Sequence, residues 1–416
     1  RCRDPHRRWL LHPAQQTGSL TSDAMTVDFH ALAKTFEAEM IARRRDFHRH
    51  PELGFQEIRT AGIVANELNT LGLEVRTGVG RTGVVGLLEG DQPGPTILLR
   101  FDMDALPINE ANSTDYISQT PGVMHACGHD GHTAIGLAVA KMLMPLRKEI
   151  AGTLKFVFQP AEEGLGGAAA MVKDGVMESP APERSLALHV WNDKPFGWVA
   201  ATDGPCMAAS ERFVITLQGK GGHGASPYQT KDPVAAAAQI ITALQTIVSR
   251  NVNAIDSAVV SVTAVNAGDA FNVIPDSAVL RGTIRTFKPE VRELVLRRVR
   301  EIAEGIARAM ECAPTVELFS ITPAVANDPQ MSAEVRELAK AMPDVTNVMD
   351  DERTMGSEDM ALMMDTVPGC YFFVGSANSE RGLDYPHHHP RFDFDERVLA
   401  QSAALMAQAA ARYVLK

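Results

Sequence analysis

A chain of 416 residues exceeds what one hydrophobic core usually serves, so two domains are the expectation. Hydrophobic residues make up 45% and charged residues 22%, an ordinary globular composition that excludes long disorder. A net charge of -11 argues against nucleic acid or an anionic membrane surface as partner, and no apolar run reaches the roughly 18 residues of a transmembrane helix.

Residues 1–24 carry only a short Trp9-Leu10-Leu11 apolar patch, too short for a signal-peptide core, and are expected to lie outside the fold. Apolar spacing then predicts a helix from Asp28 to His50, closed by Pro51, and a second from Arg59 to Leu71, stopped by Gly72. β-rich runs follow at Val84–Leu88, Thr96–Phe101, Leu154–Phe158 and Leu186–His189, with a helix at Thr133–Met144 between the second and third. Strands alternating with amphipathic helices imply an α/β layered domain around a largely buried sheet.

From about 211 to 320 the order changes. Strand Arg212–Leu217, helix Pro233–Ser249, strands Ala258–Val265 and Ala278–Thr286, helix Pro289–Met310 and strand Thr315–Phe319 give β-α-β-β-α-β, the ferredoxin-like order. Beyond Pro323 the α/β texture resumes, with a helix at Ala333–Ala341, a strand at Cys370–Val374 and a last helix at Glu396–Tyr413. The expected organisation is a two-domain α/β protein: a larger domain of 25–206 and 321–416 with a satellite of 207–320 inserted into it.

Five scattered cysteines, at positions 2, 127, 206, 312 and 370, do not make a disulfide framework and fit a reducing cytosol. One of them lies in Met124-His-Ala-Cys-Gly-His-Asp-Gly-His132, where Cys127 and His129 are spaced to share a metal. A buried cysteine beside surface histidines is the plainer alternative. Lys155-Phe-Val-Phe-Gln-Pro-Ala-Glu-Glu-Gly164 puts two glutamates at the end of an apolar strand, where one can ligate and one can act as a base, or both can simply favour a helix start. His189 ends another strand, where a lone histidine is more often a hydrogen-bonded core residue, and Tyr385-Pro-His-His-His-Pro390 places three histidines in a loop before the last helix, with surface histidines of no role as the alternative. In Leu99-Arg-Phe-Asp-Met-Asp-Ala-Leu-Pro107, Asp102 and Asp104 point to the same side, and either can orient a ligating histidine or instead cap local backbone amides. Such a donor set suits Zn²⁺, Mn²⁺, Co²⁺ or Ni²⁺ rather than Ca²⁺, and its size suits two ions rather than one.

Taken together, Arg45-Asp-Phe-His-Arg-His-Pro-Glu-Leu-Gly54, the His-Ala-Cys-Gly-His-Asp-Gly-His run, Gln-Pro-Ala-Glu-Glu-Gly, Met355-Gly-Ser-Glu-Asp359 and the C-terminal His-x-Pro resemble the M20 metallopeptidase family. The likeness is to its aminoacylase, hippurate hydrolase and indole-acetyl-amino acid hydrolase branch, and runs from about Phe36 to the last helix. The resemblance implies a catalytic domain with two divalent metals and a dimerising satellite. It implies Cys127, His129, Glu163, His189 and His388 as ligands, with His387 adjacent to the last, and Glu162 as general base. From the satellite it implies His223, typically serving the neighbouring subunit's site, as oxyanion donor, and Asn272 and Arg285 as holders of a substrate carboxylate. The activity implied is hydrolysis of N-acyl amino acids by an activated water. A dipeptidase or carboxypeptidase of the same superfamily is the nearest rival, and a silent binding protein or a Cys127 redox sensor the more distant ones.

Overall fold

The computed structural model describes residues 27–415, so the extension expected at 1–24 lies outside the described residues. An eight-stranded sheet organises the larger part of the chain. Its order is Glu74–Val79, Gly83–Glu89, Ala151–Gln159, Gln92–Asp102, Arg184–Pro195, Gly369–Ala377, Trp198–Ala200 and Asn347–Met349. The four central strands run parallel, which fits their nearly uninterrupted burial. Helices His129–Leu143 and Arg397–Val414 pack on each other and on one face. Helices Gly167–Lys173 and Ala361–Met364 supply the apolar cover of the other face.

Strands Ala209–Gln218, Ala258–Asn266, Ser277–Thr286 and Ala313–Thr322 form a separate antiparallel sheet, with the third and first in the middle. Helices Pro233–Thr246 and Pro289–Ala309 bury their apolar stripes on it, and its core is distinct from that of the large sheet. This is the ferredoxin-like arrangement expected from the element order. Strand Ala313–Thr322 runs two residues past 320, and its end residues Ile321 and Thr322 line the cavity that also holds Cys127 and Glu162.

The single helix expected over Asp28–His50 is two helices, Phe29–Thr35 and Glu37–Arg49. The Thr35 hydroxyl donates to the Leu32 carbonyl, the acceptor that the Phe36 amide would need for an α turn, and the Phe36 amide bonds Ala33 instead. Local side-chain competition of this kind tightens a helical turn.

Pairing between Gln92–Asp102 and Arg184–Pro195 stops at Arg100 and Ala187, two residues before His189. A crevice therefore opens beyond the carboxyl ends of the central strands, the place where α/β sheets usually bind ligands.

Candidate metal centre

Gly128 makes the centre possible. It precedes helix His129–Leu143 with φ 97°, and a Cβ there would come within 2.4 Å of Val190 Cγ2. Only a glycine lets the helix start so close to the strand that carries His189. The helix begins at His129 rather than at the expected Thr133, so His129 and His132 lie in its first turn. Their rings stand 6.0 and 4.6 Å from that of His189.

Each ring is aimed by its Nδ1. His129 Nδ1 donates to the Asp104 backbone carbonyl at 2.9 Å and lies 3.2 Å from Asp104 Oδ1. Its Nε2 is buried with no hydrogen-bond partner among the described residues. His189 Nδ1 donates to the Val190 carbonyl at 2.6 Å, and its Nε2 faces Cys127 Sγ at 3.5 Å. Two imidazoles anchored at Nδ1, with the Nε2 of His129 unpartnered among the described residues and that of His189 turned to the Cys127 thiol, make the arrangement in which histidine ligates a cation. His388 Nε2 comes within 3.2 Å of Glu163 Oε1, and the Glu163 amide donates to Asp104 Oδ2 at 3.0 Å. Asp104 thus holds His129 with one oxygen and Glu163 with the other.

Donor atoms of Cys127, His129 and His189 fall within 4.8 Å of one another, as do those of Cys127, Glu163 and His388, and those of His129, Glu162 and Glu163. The structure therefore brings together all five residues expected as ligands and the expected base. Of the adjacent histidines, His388 enters the cluster while His387 does not. His387 Nε2 accepts the Asn192 amide at 3.1 Å, and burial with the neighbouring His388 lowers its pKa to about 3. His132 is also occupied at both nitrogens, on Asp102 at 2.6 Å and on the Val190 amide at 3.0 Å. It ties strand Arg184–Pro195 to the helix. Asp102 and Asp104 both face that helix, as their spacing predicts.

The electrostatics suit a cation. Burial pushes the Cys127 thiol up, and Glu163, Glu162 and Asp102 push it further. Burial would lower His129, but Asp102, Asp104 and Glu163 outweigh it and raise it to about 10. Burial and then Glu358, Asp359 and Glu163 raise the Glu162 carboxyl, against the pull of Arg100. Crowded carboxylates beside a thiol and open imidazole nitrogens are a donor set that two divalent cations would satisfy.

These groups line a cavity of about 390 Å³ shared with Trp191, Met207, Arg285 and Thr322. Arg285 reaches it from the satellite sheet and makes no salt bridge among the described residues. His223 and Asn272 are elsewhere. They sit side by side on a small exposed ribbon, where the Gly224 amide bonds the Asn272 carbonyl at 2.8 Å, and neither lines this cavity. Arg100, to which no motif assigns a role, is buried and donates to Asp102, Gln159 and Glu358, and its charge opposes the upward shift of the Glu162 carboxyl. Its one sequence signal is a cation within an otherwise apolar strand.

Residues 98–412 match the pattern of peptidase family M20/M25/M40. The N-acetylcysteine deacetylase of Bacillus subtilis (strain 168) is 39% identical over 378 residues, covering 91% of this chain and 97% of that protein. Thermostable carboxypeptidase 2 of Saccharolobus solfataricus is 38% identical over 384 residues, covering 91% and 96%. The crystal structure of the Bacillus subtilis YXEP protein, described as a dinuclear metal binding peptidase from the M20 family, superposes with a TM-score of 0.80 at 36% identity, covering 91% of this chain and 98% of that one. With a family match over most of its length and two such relatives, this chain belongs to peptidase family M20/M25/M40 and is a hydrolase.

Proposed function

We propose that this hydrolase cleaves the amide bond of N-acyl amino acids, with Cys127, His129, Glu163, His189 and His388 holding two divalent cations, Mn²⁺ or Zn²⁺ in the first instance and Co²⁺ or Ni²⁺ as alternatives. The observation that carries the reading is the pairing, in one cavity, of the Glu162 carboxyl beside this donor set with the Arg285 guanidinium, free of any carboxylate partner among the described residues. When bound, the cations supply an activated water and polarise the scissile carbonyl. Arg285 receives the free α-carboxylate of the substrate and so fixes which amide faces Glu162. Glu162, whose carboxyl is held above the ordinary carboxylate range by burial and by Glu358, Asp359 and Glu163, takes the proton from the attacking water and returns it to the leaving nitrogen. The name of the deacetylase relative, which joins an acyl group to a free amino acid, supports the substrate class.

His223 and Asn272 are read as serving the site of a second subunit, with 207–320 as the dimerising satellite of a cytosolic homodimer. Their exposed ribbon, away from their own chain's cavity, supports that reading.

Release of free amino acid from N-acetyl-methionine, hippurate, indole-acetyl-alanine and an unblocked dipeptide tests the proposal. Cleavage of the acylated compounds, abolished by Glu162→Gln with both metals retained, is the expected result. Cleavage of the dipeptide alone would favour a peptidase, the activity in the name of the carboxypeptidase relative. A Glu162→Gln protein with more than about a tenth of normal turnover would remove Glu162 as base.

A further inference from the structure

The segment carrying Glu162 and Glu163 is a tight loop with little regular structure of its own, and buried carboxylates from three distant places hold it. The Ala161 amide donates to Glu57 Oε1 at 2.8 Å, the Glu163 amide to Asp104 Oδ2 at 3.0 Å, and the Ala168 amide to Asp359 Oδ2 at 2.9 Å. Ala161 is the residue next to Glu162, is fully buried, and has φ 52°. An L residue holds this left-handed conformation only when its surroundings over-determine it. A buried amide with no acceptor would also be unfavourable.

Glu57 is the group that meets both needs. It is fully buried, and Thr82 Oγ1 donates to its second oxygen at 2.5 Å, which fixes the carboxylate in place. It stands at the start of helix Ile58–Thr70 yet makes no cap with its side chain. Glu52 caps that helix instead, accepting the Arg59 and Thr60 amides at 2.9 and 2.8 Å. The Glu57 side chain is therefore not spent on its own helix and reaches 104 residues along the chain to Ala161.

We propose that Glu57 is a positioning residue for the reaction: by holding Ala161 in its left-handed turn it aims the Glu162 carboxyl at the substrate. The proposal rests on the reading of Glu162 as general base. Loss of Glu57 would leave the fold and the ligands of the metal centre standing but let Glu162 swing.

Glu57→Ala, prepared as the metal-loaded full chain, is expected to lower kcat by about 10- to 100-fold with KM and bound metal nearly unchanged. Amide exchange should rise in the peptide spanning 158–168. Glu57→Gln, which keeps an oxygen for the Ala161 amide and lets Thr82 act as acceptor, is expected to stay within about threefold of normal kcat. If the alanine protein does not fold, Thr82→Val reads the same contact and should lower kcat in the same direction while leaving KM in place. The proposal is overturned if Glu57→Ala keeps kcat within about threefold of normal, if its losses track lost metal, or if glutamine does no better than alanine. Glu162→Gln is assayed alongside. Activity in that protein removes the base reading itself, whereas an inactive Glu162→Gln beside a normal Glu57→Ala removes only the role of Glu57.

Discussion

A guanidinium at a cavity wall with no carboxylate beside it is held at a cost, because burial disfavours its charge. Arg285 shows this directly: burial lowers its pKa, and Glu211 only partly opposes the shift. Thr283 and the Ile284 carbonyl take hydrogens from its Nη1, which orients the group without neutralising it. A substrate carboxylate would complete the pair, and hydrogen bonds to charged groups contribute about 1.5–3 kcal/mol. Arg285→Met should therefore raise KM for an N-acyl amino acid by about 10- to 100-fold, with a much smaller effect on the corresponding N-acyl amide, which lacks the carboxylate. Equal losses on both compounds, measured in parallel, would mean that Arg285 does not read that group. The same scale separates His388 from His387. Their adjacency in sequence leaves the choice open, and it is decided by backbone: the Asn192 amide occupies His387, while His388, with φ 65°, is turned toward Glu163.

Among the elements, the loop between strand Ala151–Gln159 and helix Gly167–Lys173 is the most tightly built. A Cβ on Gly167 would sit 1.6 Å from the Pro160 carbonyl oxygen, backbone that cannot yield without displacing Ala161 and the glutamates after it. Gly167→Ala should cost at least about 1–3 kcal/mol in urea unfolding and lower turnover, and a protein unchanged in both would show that the loop adapts freely. How much of such structure can be read from sequence depends on the range of the interactions that set it. The central strands and the order of the satellite elements follow from local periodicity, whereas the runs around Cys127 and Glu163 and the lone His189 stand out by residue type in one short segment each, with their ligand roles implied only by the family resemblance. The break at Phe36 turns on one Thr35 hydroxyl, which periodicity does not register. Strands Trp198–Ala200 and Asn347–Met349 are three residues each and exist only through pairing with each other and with Gly369–Ala377. Glu57 was invisible as part of the site for a similar reason: nothing near it in the chain reveals its contact with Ala161.

At the scale of the whole molecule, a buried charge network joins parts of the chain that no single element connects. Arg44 donates to Asp130 at 2.9 Å and to Asp393 at 2.7 Å, and lies 3.3 Å from Glu396, so helix Glu37–Arg49 is tied to the start of helix His129–Leu143 and to the segment before the last helix. His48 stands within this network. Its Nδ1 is 2.8 Å from Asp130 and its Nε2 is 3.1 Å from Glu110, with Arg44, Tyr116 and His125 also against it. Burial opposes the imidazolium, and Arg44 does so as well, yet the hydrogen bonds to Asp130 and Glu110 outweigh both and raise the pKa. A histidine whose folded pKa lies above its unfolded value of about 6.5 adds stability that is complete below that value and is lost as pH rises through the folded pKa. The difference in unfolding free energy between the normal protein and His48→Gln, both with metal bound, should therefore favour the normal protein most below about pH 6.5 and shrink as pH rises above that value. Using a difference cancels the many other groups that titrate over that range, including those at the metal centre. A difference that stayed constant with pH, measured by urea unfolding, would mean that His48 is held by shape rather than by charge, and that Asp130 and Glu110 are neutralised by Arg44 and the surrounding amides alone.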